Sequence, residues 1–214
     1  MHAAPIPSRH GSSNRLVAPI STLLFVASEH KAGDQVPGLI VPDESNLPTD
    51  RHFSDAAAPG TVVIMQQPSN QIAALLGDIV ATRYKVRGIR GVVTDGRSRD
   101  NAGCGELCKD GNFQCWTKSL TTSGTSTEAK PWAVDIPLQI GKMTVKPGDI
   151  ICLDEGELVV NVIPREKLDD VLALLPLQKE ADDGLLKDVQ NGMDFKTAVA
   201  RHPEHYTVRH AKMK

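Results

Sequence analysis

Residues 61–100 read TVVIMQQPSNQIAALLGDIVATRYKVRGIRGVVTDGRSRD, and the order of their apolar runs decides the fold. Thr61-Val62-Val63-Ile64-Met65 is a short continuous apolar run, the pattern of a strand buried on both faces. After Pro68-Ser69-Asn70 an apolar segment leads to Gly77-Asp78, and Ile79, Val80 and Tyr84 then recur at helical spacing. Gly88 stands where such a helix stops, because glycine accepts the left-handed conformation that closes a last turn. Ile89 to Thr94 reads as a second buried strand, which Asp95-Gly96 is expected to end as a turn. Strand, helix and strand within about 35 residues make a βαβ unit, a parallel pair with a right-handed crossover.

Outward from this unit the pattern changes. Leu16 to Val26 reads as a strand pair or one long strand broken at Pro19. Glu29 to Asp55, rich in Pro, Gly, Asp and Ser, reads as a long loop, and loops of that length are commonly functional or covered by a partner. Ala133 to Ile140 alternates as a strand. Turns at Gly141-Lys142 and Pro147-Gly148-Asp149 separate Met143 to Val145, Ile150 to Leu153 and Leu158 to Ile163, so these strands are mostly antiparallel. Pro164 opens a helix with Leu168, Val171, Leu172 and Leu175 on one stripe. Two further helical pieces, Lys179 to Gln190 and Asp194 to Arg201, flank a stop at Asn191-Gly192. The class is α/β, a βαβ unit followed by short antiparallel strands and C-terminal helices. Expected divisions are a disordered leader at 1–15, a catalytic domain at 16–176 and a helical extension at 177–214.

Composition narrows the function. Twenty-four Lys+Arg against 26 Asp+Glu give a formal charge of -2, and aromatic residues are only 4%. No basic footprint for nucleic acid is visible. No apolar run approaches the roughly 20 residues that span a bilayer, and the N-terminus has no signal-peptide core. A cytoplasmic protein is expected, with an organellar leader as the alternative that Arg9 and Arg15 leave open. Cys104, Cys108, Cys115 and Cys152 lack the paired C-x-x-C pattern of zinc sites, so reduced thiols are expected.

Chemistry concentrates at the ends of the βαβ unit. Gly77-Asp78 opens the helix, where unpaired N–H groups and the positive dipole end suit a carboxylate or phosphate. Arg99-Asp100 follows the second strand, at the carboxyl end where parallel sheets bind ligands. Arg99 can clamp a carboxylate or enolate through its planar fork, and Asp100 offers a hard oxygen suited to Mg²⁺ or Mn²⁺. Spacing alone leaves the plainer alternatives open: Asp78 as a helix cap, and Arg99-Asp100 as a solvated surface pair.

The stretch Leu76 to Asp100 resembles the RraA-like family, which includes 4-hydroxy-4-methyl-2-oxoglutarate/4-carboxy-4-hydroxy-2-oxoadipate aldolases and oxaloacetate decarboxylases. The likeness continues through Val134-Asp135-Ile136-Pro137, Val145 to Ile150 and Val160 to Leu175, and the closing region looks like the tail of fungal-type members. The resemblance implies a three-layer β/β/α fold, assembled as a homotrimer or hexamer with active sites at subunit interfaces. It implies a lyase that cleaves a C–C bond in a small 2-oxo acid through a metal-stabilised pyruvate enolate. By the same resemblance Arg99 binds the pyruvyl oxygen or carboxylate, Asp100 ligates Mg²⁺ or Mn²⁺, and Asp78 holds a metal-bound water. Gly77, Asp78, Ile79 and Val80 bring their amides to the substrate carboxylate.

Two departures qualify this. Family enzymes carry Glu or Asp three residues after the R-D aspartate, where this chain has Gly103; Glu106 or Asp110 are the candidate substitutes. The family's helical segment before the first strand is also expected to be shortened. Two alternatives therefore stand beside the lyase. One is a repurposed enzyme acting without metal on a bulkier oxo acid or secondary metabolite. The other is a non-catalytic interaction protein like the RraA regulators of ribonuclease E.

Overall fold

The computed structural model describes residues 4–5 and 14–206, and the chain divides into two compact units, residues 1–165 and 166–214. In the first unit the strands are β1 (Ala4–Pro5), β2 (Arg15–Ala27), β3 (Val62–Gln66), β4 (Ala74–Leu76), β5 (Gly91–Ser98), β6 (Gln114–Leu120), β7 (Ala129–Val134), β8 (Leu138–Ile140), β9 (Met143–Val145), β10 (Ile150–Asp154) and β11 (Val159–Ile163). Helix α1 (Asp78–Val86) precedes β5 and α2 (Asn101–Cys108) precedes β6. Much of the expected leader lies outside the described residues; Ala4–Pro5 pairs antiparallel with β6.

The main sheet runs β1-β6-β5-β3-β2-β10-β11, with β4 on β5 and β7 on β2. Pairing is parallel for β2–β3, β3–β5, β4–β5 and β5–β6, and antiparallel for β2–β7, β2–β10 and β10–β11. Period-two alternation sends side chains to two cores. Val63, Met65, Val92 and Cys115 join Tyr84, Cys104 and Phe113 on the helical face. Val62, Ile64, Val93 and Trp116 join Leu138, Ile140, Val145 and Ile151 on the other, against β8–β9 and β10. The α/β class expected from the sequence is thus present, with helices, central sheet and further strands as successive layers.

Several local expectations are corrected by pairing. Pro19 does not break β2: Ile20 donates to Asp149 O at 2.8 Å, and the ladder with β3 starts only at Ile20. Pro19 therefore removes no ladder donor. Asp95-Gly96 is no turn, because β5 continues to Ser98 through a register irregularity between Thr94 and Arg97. Residues 101–108 form α2, and the chain enters β6 at Gln114, a strand whose polar residues hid it from periodicity. The alternation from Ala133 to Ile140 is cut at Asp135, whose φ of 50° turns the chain while its N–H donates to Thr22 O.

In the second unit, α3 (Leu168–Gln190) is one helix across Pro176 rather than two pieces. A single proline removes one intrahelical donor, which strong helix formers on both sides tolerate here. It stops at Asn191-Gly192 as expected, and Asp194 caps α4 (Phe195–Arg201) by accepting from Thr197 N at 3.0 Å. No helix among the described residues is long and apolar enough to cross a membrane.

Gly91 marks the tightest strand approach. A Cβ there would lie 2.8 Å from the Gln114 backbone oxygen. Gly91→Ala is expected to destabilise the protein by about 1–3 kcal/mol, as overpacking does, read from urea denaturation midpoints.

Candidate functional site

Helices α1 and α2 begin side by side, each at the carboxyl end of a strand of the parallel sheet. Gly77 is the N-cap of α1 and supplies no side-chain cap; Asp78 is the first helical residue, so its carboxylate is not the cap. Asp100 is the N-cap of α2 but also makes no side-chain capping bond, and its φ of 53° places it in the left-handed region. Asp tolerates that region better than most residues, yet the geometry is unusual and typical of functional turns. Both helix starts thus keep amides without side-chain partners.

Two glycines allow the approach. A Cβ at Gly77 would lie 2.9 Å from Asp100 Oδ2 and 3.3 Å from Arg99 Nε. A Cβ at Gly103 would lie 2.7 Å from Asp78 Cβ and 2.8 Å from Asp78 Oδ2. Each helix start therefore sets its carboxylate against a glycine of the other. Arg99 N donates to Leu76 O at 2.9 Å, tying the end of β5 to the end of β4. The Arg99 guanidinium rests against Asp100, Nε to Oδ2 3.3 Å, and passes 3.4 Å from the Cβ position of Gly124. Arg99 and Asp100 are each roughly half exposed, at 44% and 46%, so both remain open to a ligand.

The structure thus brings Gly77, Asp78, Arg99 and Asp100 together. Val80 packs against the helical-face core and borders the adjoining cleft, while Ile79 is 79% exposed. That cleft, about 740 Å³, is also lined by Arg51, His52, Phe53, Lys130 and Gly124. Sequence reading did not single out these residues. Only the length of the 29–55 loop hinted at Arg51, His52 and Phe53. Its end is fastened to α1: Asp55 takes Arg83 Nε at 2.8 Å and Arg87 Nε at 3.4 Å, and Arg87 Nη1 donates to the Ser54 and Ala57 carbonyls.

The candidate replacement acids do not reach the site. Asp110 pairs with Lys85 at 2.8 Å, and Glu106 pairs with Lys109. The reason for glycine at 103 is steric: Asp78 fills the place of any side chain there. Cys104 and Cys108 on α2 and Cys115 on β6 are buried free thiols, and hydrogen bonding to the other two thiols together with burial pushes Cys115 up.

A family model described as RraA-like, Aldolase/RraA, matches residues 7–160. The chain belongs to the RraA-like family. A relative from Halalkalibacterium halodurans, provisionally named a 4-hydroxy-4-methyl-2-oxoglutarate aldolase, is 32% identical over 127 residues. The match covers 59% of this chain and 57% of that protein, so this RraA-like chain aligns with little more than half of the relative's length. Among solved structures, an uncharacterized protein from Pseudomonas syringae superposes with a TM-score of 0.69 at 18% identity, covering 93% of this chain and 80% of that one. RraAS2 of Streptomyces coelicolor, described as an unusual member of the RNase ES inhibitor RraA protein family, gives 0.64 at 23% identity, covering 85% and 83%. These likenesses support the RraA-like fold.

The donor set admits a hard divalent cation only in a water-rich form. Mg²⁺ is commonly held by one or two carboxylates with several waters, and Asp78 and Asp100 meet that minimum. Among the described residues no group of three His, Cys, Asp or Glu is placed to hold a metal ion.

The Asp55 clamp has a pH signature. The Arg83 hydrogen bond holds its carboxyl below the usual 3.8, with Arg87 and His52 adding to the effect. A depressed folded-state value means the clamp stabilises above pH 3.8 and is lost as pH falls through the lowered value. Asp55→Asn is expected to lower stability at neutral pH, with the difference from the parent vanishing in strong acid. Urea melts across pH check this.

Proposed function

We propose that this chain is a lyase that cleaves a C–C bond in a small 2-oxo acid through a pyruvate enolate. The reaction is aldol cleavage of a 4-hydroxy-2-oxo acid or decarboxylation of oxaloacetate. The observation that carries the reading is the facing pair of helix starts, Gly77-Asp78 and Arg99-Asp100, with a guanidinium between them. The provisional aldolase name of the Halalkalibacterium halodurans relative supports it.

In this reading the substrate carboxylate lies against the amides that follow Gly77, where unpaired N–H groups and the helix dipole favour an anion. Arg99 meets the pyruvyl oxygen, on which negative charge grows as the C–C electron pair moves into the enolate. A fixed cation at that place lowers the barrier because its attraction rises along the reaction. Asp78 and Asp100 repel an anionic substrate unless positive charge is interposed, which is the electrostatic case for a divalent ion beside Arg99. Mg²⁺ or Mn²⁺ is proposed, with Asp100 as ligand and Asp78 holding a coordinated water. The ion supplies Lewis-acid stabilisation of the enolate oxygen when bound. The other fragment leaves as CO2 or, with loss of the 4-hydroxyl proton, as a carbonyl compound, and the enolate carbon takes a proton from water to give pyruvate. We include a homotrimer or hexamer in the proposal, since Ile79 is apolar surface beside the site that a neighbouring subunit can cover.

Gly103 and the cleft of about 740 Å³ favour a second reading, metal-independent action on a bulkier oxo acid. Pyruvate release from oxaloacetate and from 4-hydroxy-4-methyl-2-oxoglutarate, with Mg²⁺, Mn²⁺ or chelator, separates the two. The lyase reading expects metal-dependent turnover that Arg99→Ala lowers by about 10²–10³-fold, as loss of a transition-state donor does, and that Asp100→Ala makes insensitive to metal. Turnover of larger oxo acids that ignores chelator but requires Arg99 supports the second reading. Absence of turnover with every oxo acid overturns both.

A further inference from the structure

Strand β5 serves two clefts. Arg99, past its end, enters the cleft described above. Asp95, Gly96 and Arg97, inside it, border another of about 380 Å³ at the carboxyl ends of β3, β5 and β6. Gln66, Gln67 and Gln71 form part of its wall, and all three are more than nine-tenths buried. Their side-chain carbonyl oxygens have no hydrogen-bond partner.

The orientation of these amides follows from their neighbours. Gln66 Nε2 donates to Asp95 Oδ2 at 3.1 Å and to the Gln139 carbonyl at 2.5 Å. Gln67 Nε2 donates to the Gln71 carbonyl at 3.1 Å, and Gln71 Nε2 to the Glu128 carbonyl at 3.0 Å. Every partner is an acceptor, so flipping any amide would set oxygen against oxygen. The three carbonyl oxygens are wholly without a partner, while Gln67 and Gln71 each use one of their two N–H donors in the bonds above. Gly96 makes room for Gln67, since a Cβ there would lie 3.0 Å from Gln67 Cγ and Cδ. Residues that sequence reading assigned to a turn thus hold the glutamine in place.

Charge on the rim has the opposite sense. Lys118 lies 3.3 Å from Asp95 Oδ1 with its side chain 54% exposed. Arg97 Nη1 donates to Ser119 Oγ at 3.0 Å and to the Leu120 carbonyl at 3.1 Å. Asp95 offsets one of these two cations and leaves a net positive rim. Buried unmet acceptors call for hydroxyl or N–H donors, and the rim disfavours a cationic donor while favouring one carboxylate.

We propose that this cleft is a second small-molecule site, for a polyhydroxylated carboxylate of the sugar-acid class. The glutamine carbonyls are closed to solvent in the free protein, so binding requires these side chains to turn toward the ligand hydroxyls, and the carboxylate lies at Lys118 and Arg97. The site is separate from Gly77, Asp78, Arg99 and Asp100, and it stands whether or not these catalyse oxo-acid cleavage.

Calorimetric titration of the full chain with D-gluconate, D-sorbitol and acetate tests this. Sorbitol has the hydroxyls without the charge, and acetate the charge without the hydroxyls. Gluconate is expected to bind at least about 10-fold more tightly than either, a gap of about 1.4 kcal/mol. Lys118→Ala, at an exposed side chain, should weaken gluconate by a similar factor and leave sorbitol unchanged. Gln67→Met, with its melting curve checked for folding, should weaken both gluconate and sorbitol. Gluconate without measurable heat at about 10 mM, far above a useful affinity, overturns the proposal. So does gluconate binding that withstands both substitutions, or binding lost only in Arg99→Ala, which would assign the ligand to the other cleft.

Discussion

The close approach of the α1 and α2 starts is the constraint on which the candidate site depends. Gly77 lets Asp100 and Arg99 come against the first turn of α1, and Gly103 lets Asp78 come against α2. A side chain at Gly103 would force the helices apart, because Asp78 is met at its rigid Cβ, whereas one at Gly77 would displace the Asp100 carboxylate and the Arg99 guanidinium. The left-handed conformation of Asp100 belongs to the same arrangement. It directs the carboxylate away from the capping role that an aspartate at a helix start ordinarily has.

This arrangement explains the departure at position 103. An acid there would occupy the space of Asp78, so the glycine and the aspartate are two parts of one packing solution. Carboxylate density is thereby lower than three-ligand metal sites need. The cationic side is fuller, with Arg99 at the helix starts and Arg51 and Lys130 around the adjoining cleft. The balance favours anion recognition as the primary property of the site.

The sheet connects the two clefts. Parallel strands bring their carboxyl ends to one edge, and β5 passes through both sites within five residues, from Asp95 to Arg99. A register irregularity between Thr94 and Arg97 changes the strand's path at that point. Without it, strict alternation would govern which face Arg97 and Arg99 present.

Sequence alone determined the βαβ unit, the buried strands at 62–66 and from Gly91, the Gly88 stop and the grouping of Gly77-Asp78 with Arg99-Asp100. These follow from local periodicity and from the rule that ligands collect at strand ends. The sequence did not reveal β6, because half of that strand is polar, nor the identity of 101–108 as a helix, because two glycines and two cysteines give weak helical propensity. It took Pro19 and Asp95-Gly96 for breaks, since local rules cannot show that a ladder begins one residue later or that a bulge absorbs the turn. The steric reason for Gly103, the Asp55 clamp and the three orphaned glutamine carbonyls required tertiary structure. Each is a contact between residues distant in sequence, and spacing along a chain carries no information about which side chain fills which space.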